Sequence, residues 1–191
     1  MAALTEVSIC NMALSELGEL RISNLTDLSN KTVRTCNIWY EKTRDFVLSE
    51  HDWTCAIVWQ TLSKLTETPH DQYAYYYQLP SSPKWLRIVS IEPVQIYEVE
   101  GDKLKTSGST VHLRYVKQMV IAGEIDIMLA TAIAMLLASN MCRDITGNTT
   151  ERDRLLGQYE MTVRKAMARD AILGPIERRK GKQSWSTVGR I

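Results

Sequence analysis

The stretch DQYAYYYQLP, Asp71 to Pro80, sets four tyrosines into five positions and then halts on a proline. With a period of two it places Tyr73, Tyr75, Tyr77 and Leu79 on one face of a strand, and Ala74, Tyr76 and Gln78 on the other. A platform for stacking bases needs several exposed aromatics among basic residues. Here the nearest charges are Asp71 before the run and Lys84 after it. The pattern therefore predicts a strand that buries tyrosine rings with their hydroxyls at the rim. Tyr76 is the one expected to face outward.

Similar alternation appears around this run. Trp53, Cys55, Ile57 and Trp59 alternate with Thr54, Ala56, Val58 and Gln60, and Val111, Leu113 and Tyr115 repeat the pattern downstream. Trp85 to Ile91 and Gln95 to Glu100 read as further strands, with Gly101 to Lys103 as a tight hairpin turn. The expectation is one small, mostly antiparallel sheet whose core is Trp53, Trp59, Tyr73, Tyr75 and Tyr77.

Helical spacing flanks it on both sides. Val7, Cys10, Leu14 and Leu17 recur at intervals of three and four, with Thr5 as a cap and Gly18 at the expected terminal position. Val33, Cys36, Tyr40, Thr43 and Val47 do the same, with Ser29 as the expected cap. Helical spacing resumes at Glu124, and from Ile125 to Ala138 the chain is apolar on nearly all sides, as in a helix surrounded by neighbours. Gly147 ends that helix. Asn148 or Thr149 then caps a last one, whose stripe of Leu155, Leu156, Tyr159, Val163, Ala166 and Met167 lies opposite Arg152, Arg154, Arg164 and Arg169. Gly174-Pro175 stops it.

The fold class is thus α+β: an antiparallel helical bundle with an inserted antiparallel β domain and an extended C-terminal arm. The expected divisions are 1–50 and 121–173 for the two halves of the helical domain, 51–120 for the β domain and 174–191 for the arm. Composition agrees, since 191 residues that are 45% hydrophobic and 24% charged suffice for a sizeable core. No cationic leader precedes an apolar run, and Ile127 to Ala138 is too short to cross a bilayer. Synthesis in the cytoplasm with no membrane partner is the expectation.

The net charge of +1 conceals an asymmetry. Beyond Leu173 the chain holds Arg178, Arg179, Lys180, Lys182 and Arg190 against Glu177 alone, while the remainder carries 18 basic and 21 acidic residues. A basic tail on a mildly acidic body suits a segment that lies on another molecule.

Chemistry is sparse. His51, His70 and His112 lie in different elements, outside any nucleophile motif or metal-ligand spacing. The nine glycines form no phosphate-binding loop. The four cysteines, Cys10, Cys36, Cys55 and Cys142, form no C-x-x-C pair and suit buried free thiols. Carboxylate pairs such as Glu50 with Asp52 and Glu98 with Glu100 have the residue types for acid–base work, but charge on an outer strand face explains them more simply. No catalytic residue, cofactor or metal is expected, and the chain does not read as an enzyme.

The same segments, in order, carry a resemblance. ALSELG (13–18), ISNLTDLS (22–29), VRTCNIWYEKTRDFVLSEHDWTCA (33–56), YAYYYQLPSSPKWLRIVSI (73–91), YEVEGDKL (97–104), LRYV (113–116) and ITGNTTERDRLLGQYEMTVRKAMARDA (145–171) resemble the tail tubular protein A family of short-tailed, podovirus-type phages. These are head-to-tail adaptor, or gatekeeper, proteins of the virion. The resemblance implies a ring of twelve copies between the portal and the tail nozzle, forming part of the DNA exit channel. It implies helices side by side around the ring, a β domain facing the nozzle and a C-terminal segment reaching the portal.

On that reading Arg178, Arg179, Lys180, Lys182, Trp185 and Arg190 form the portal-binding arm. Arg152, Arg154, Glu160, Arg164 and Lys165 form the helix face between subunits. The expected partners are further copies of the chain, the portal, a nozzle resembling tail tubular protein B, tail fibres, and double-stranded DNA contacted without sequence specificity. Three alternatives are another head-completion or tail structural protein, a nucleic-acid module using the basic arm, and a cell-wall hydrolase. The acidic body argues against the second, and the lack of a metal-ligand set or carboxylate pair against the third.

Overall fold

The computed structural model describes residues 4–173, so the arm residues 174–191, Gly174-Pro175 included, lie outside the described part. The order is α1 (Glu6–Glu16), α2 (Lys31–Ser49), β1 (Ile57–Thr61), β2 (Tyr75–Gln78), β3 (Trp85–Glu92), β4 (Tyr97–Glu100), β5 (Lys103–Thr106), β6 (His112–Lys117), α3 (Ile127–Ile145) and α4 (Thr149–Leu173). The class is α+β: helices, then antiparallel strands, then helices.

Local chemistry sets the helix ends. Thr5 and Ser8 form a reciprocal capping box at α1, and Gly18 takes the left-handed φ of 71° that closes it. Asn30, rather than Ser29, caps α2 through its side-chain oxygen and the Thr32 N–H. Ser29 is one residue too early and bonds Asp27 instead. Asp126 caps α3, so Glu124 falls in the preceding 3-10 turn rather than in the helix. Asn148 accepts from the Glu151 N–H at the start of α4.

α3 lies at the centre, packed by α1, α2 and α4. Its buried residues include Leu129, Ile133, Leu137, Met141 and four alanines, which let neighbouring backbones come close. The helix continues to Ile145, seven residues past the apolar run expected from the sequence. By length and composition it could cross a membrane, but 61% of its most apolar window is buried inside the fold.

The strands form two three-stranded antiparallel sheets, β1-β6-β3 and β2-β5-β4, where one sheet was expected. Their facing sides enclose a second cluster of Leu62, Tyr77, Leu79, Ile91, Leu104, Val111, Leu113 and Tyr115. β4 and β5 join through the expected tight turn at Gly101, whose φ is 61°.

Three core expectations are corrected. Trp53 is not in the β cluster: residues 53–56 form a turn closed by Ala56 and Ile57 N–H groups on the Trp53 carbonyl, and β1 begins only at Ile57. The Trp53 ring instead enters the helical core, donating its indole N–H to the Val47 carbonyl at 3.0 Å. Trp59 is 52% exposed, on the outer side of β1. Tyr76 takes the outer face, as expected, yet it is only 8% exposed there because neighbouring side chains fold over it. Tyr77 and Leu79 are buried together and Tyr75 packs half-buried against them, but Tyr73 is not a core residue: it precedes β2 and lies outside the cluster, its ring 5.7 Å from Lys105 Nζ.

Candidate interaction surfaces

The two carboxylate pairs each have partners on other elements. Glu50 accepts from the Tyr159 hydroxyl of α4, and Asp52 pairs with Arg87 of β3. Burial, with the Glu50 hydrogen bond second, pushes the Tyr159 phenol well above its ordinary range. Beside this pair, Asp170 of α4 is buried and accepts from the Thr54 N–H at 3.1 Å and its hydroxyl at 2.6 Å. His51 Nε2 stands 3.4 Å from the same carboxylate. These contacts fasten the last turns of α4 to the segment that leads from α2 into β1. Sequence alone gave no sign that Asp170 and Thr54, 116 positions apart, would meet.

A second polar centre lies on the outer face of the β2-β5-β4 sheet. Lys105 Nζ reaches Asp71 at 2.6 Å, Glu98 at 3.4 Å and Glu100 at 3.5 Å. The Asp71 hydrogen bond is the main cause raising the Lys105 ammonium above its usual range, and the same bond holds the Asp71 carboxyl low. Tyr76 donates its hydroxyl to Glu100 at 2.9 Å, and Lys103 covers its ring at 5.2 Å. Glu98 and Glu100 therefore share one lysine.

On α4 the side chains Arg152, Arg154, Glu160, Arg164 and Lys165 are all exposed. Three of them are engaged within the helix: Arg154 holds Glu151, and Arg164 stands 3.6 Å from Glu160. His112 faces outward and shares a 2.9 Å hydrogen bond with Thr61, while Arg114 lies 5.9 Å from the Trp59 ring. A cleft of about 320 Å³ runs past Trp59, Gln60, Thr61, Glu92 and His112. Between α2 and α3, another of about 290 Å³ is lined by Trp39, Lys42, Thr43, Phe46, Leu136 and Asn140. The half-exposed Phe46 there was not singled out from sequence, although it falls outside the buried stripe of α2.

The four cysteines are free thiols. Among the described residues no three His, Cys, Asp or Glu side chains are grouped as metal ligands. The portal-arm residues Arg178, Arg179, Lys180, Lys182, Trp185 and Arg190 lie outside the described residues. No protein-family model matches the chain, and no curated protein matches it.

Proposed function

We propose that the chain is a structural virion protein, a head-to-tail adaptor that assembles as a ring between a portal and a tail nozzle and lines part of the DNA exit path. The observation that carries this reading is the ordered series of segments from Ala13 to Ala171 resembling the tail tubular protein A family. The helix–strand–helix order is consistent with it. So is the polar chemistry, because two of the buried charges, Asp170 and Lys105, are engaged in holding elements together. In this reading the α4 face meets the next subunit, the basic arm meets the portal, and the protein is not an enzyme.

The test is electron microscopy of the purified chain mixed with the portal protein of the same phage. A ring of density added to one end of the portal is the expected result. A chain that stays unbound at micromolar concentration overturns the reading. Salt-sensitive binding of duplex DNA by the isolated chain would favour the nucleic-acid alternative.

A further inference from the structure

The two edges of the β2-β5-β4 sheet are treated differently. Along β2, the chain before it folds back: Leu65 donates to the Tyr76 carbonyl and Gln78 to the Ser63 carbonyl, with Lys64 bridged to Tyr77. Along β4, no backbone bond from any other element arrives among the described residues. The Glu100–Lys103 pair closes the tight turn, so alternation turns the N–H and C=O of Tyr97 and Val99 away from β5.

The side chains at this edge are also uncovered. Tyr97 and Val99 share the face of Tyr77 and Leu104, yet they are 37% and 38% exposed. Val94 and Ile96, just before β4, are 93% and 79% exposed. They are held in place, not trailing: Gln95 between them bonds the Thr110 carbonyl and the Thr106 hydroxyl. An open edge with a fixed apolar margin is a template for another strand.

Charge selects the occupant. On the other face of β4, Glu98 and Glu100 share Lys105 with Asp71, three carboxylates on one ammonium, and both glutamates remain more than half exposed. An antiparallel match of two β4 strands sets these glutamates against glutamates of the second copy, which is unfavourable. A strand with cations at alternate positions answers the surplus.

We infer that β4 is a docking edge for an extended segment of a protein partner, added as a fourth strand. Its lysines or arginines at every second residue face Glu98 and Glu100, and its apolar residues between them cover Tyr97 and Val99. This goes beyond the adaptor reading and holds whether or not the chain is a ring subunit.

The test uses the full chain and two capped nonapeptides, one alternating lysine with valine and one alternating glutamate with valine, followed by amide hydrogen exchange. The lysine peptide should slow exchange at Tyr97 and Val99 by about tenfold or more, and less so at high salt. Val99→Pro removes an outward N–H without touching the β5 ladder. It should leave the thermal midpoint near that of the parent and abolish the protection. Glu98→Lys with Glu100→Lys should transfer the preference to the glutamate peptide. Protection elsewhere than β4, equal binding of both peptides, or unchanged binding by Val99→Pro would each overturn the inference. So would a β4-to-β4 dimer, detected as concentration-dependent cross-linking through Val99→Cys.

Discussion

The helical part and the β part of this chain are stabilised by different means. Around α3 the contacts are almost wholly apolar, with alanines and aliphatic side chains at 0–7% exposure and one tryptophan sealing the end of α2. Between the sheets the apolar cluster is small and rich in aromatic rings, and much of the outer surface is bound by ion pairs and hydrogen bonds to tyrosine. The former depends on volume and shape. The latter depends also on exposed ion pairs, so the two should respond to different perturbations.

The sharpest way to break the comparison is Trp53→Ala. It empties a site 2% exposed in the helical core and removes the indole hydrogen bond to the Val47 carbonyl, which keeps only the Glu50 N–H, a loss of about 3–5 kcal/mol. Trp59→Ala, on the open side of β1, should stay within about 0.5 kcal/mol of the parent. Denaturant unfolding of both variants checks this, and similar losses would mean that Trp53 is not the helical-core residue described.

The junction between the parts comes next. Asp170→Ala strips the Thr54 N–H and hydroxyl of their acceptor, which should cost about 1–3 kcal/mol in denaturant unfolding. Hydrogen exchange should quicken at residues 53–56 more than within α3. Uniform quickening would show that the junction is no separate unit.

These examples also mark what could be read from the sequence. Repeating apolar spacing identified α1, α2 and α4, and the positive-φ sites at Gly18, Gly101 and Gly147 fell where turns were expected, because both signals are local. Alternation failed at Trp53 because a turn held by a residue 116 positions away interrupts it. At Tyr76 it gave the right face but not the burial, which comes from Lys103 and Glu100 across the sheet and not from the pleat. For the candidate surfaces, the α4 charges were legible as an outward face, whereas the open edge of β4 depends on strand order, which no local pattern encodes.

pH separates the parts further. The Tyr159 phenol is raised in the fold, so its contribution is intact below the unfolded value near 10 and is lost as pH climbs beyond it. Tyr159→Phe should therefore flatten the alkaline fall of the thermal midpoint relative to the parent. Asp71 behaves oppositely: its lowered value means stability present above about 3.8 and lost as pH falls through the folded value. The midpoint difference between the parent and Asp71→Asn should shrink in that acid range. A difference constant from pH 7 to pH 2 would remove Lys105 as the partner that matters.

The smallest effect is expected on the outer face of α4. Glu160 and Arg164 stand 3.6 Å apart with side chains 58% and 76% exposed, so water and salt compete for both. An exposed pair one helical turn apart contributes about 0.3–0.5 kcal/mol. Arg164→Ala should thus barely move the midpoint of the isolated chain. If this face meets a second copy, as proposed, the same change should weaken ring assembly on the portal far more than it weakens the fold, because the pair loses its water only there. Measured side by side, an assembly defect with an unaltered melt would assign the α4 charges to contacts between chains. An altered melt of the isolated chain, with assembly following it in proportion, would assign them to the helix itself.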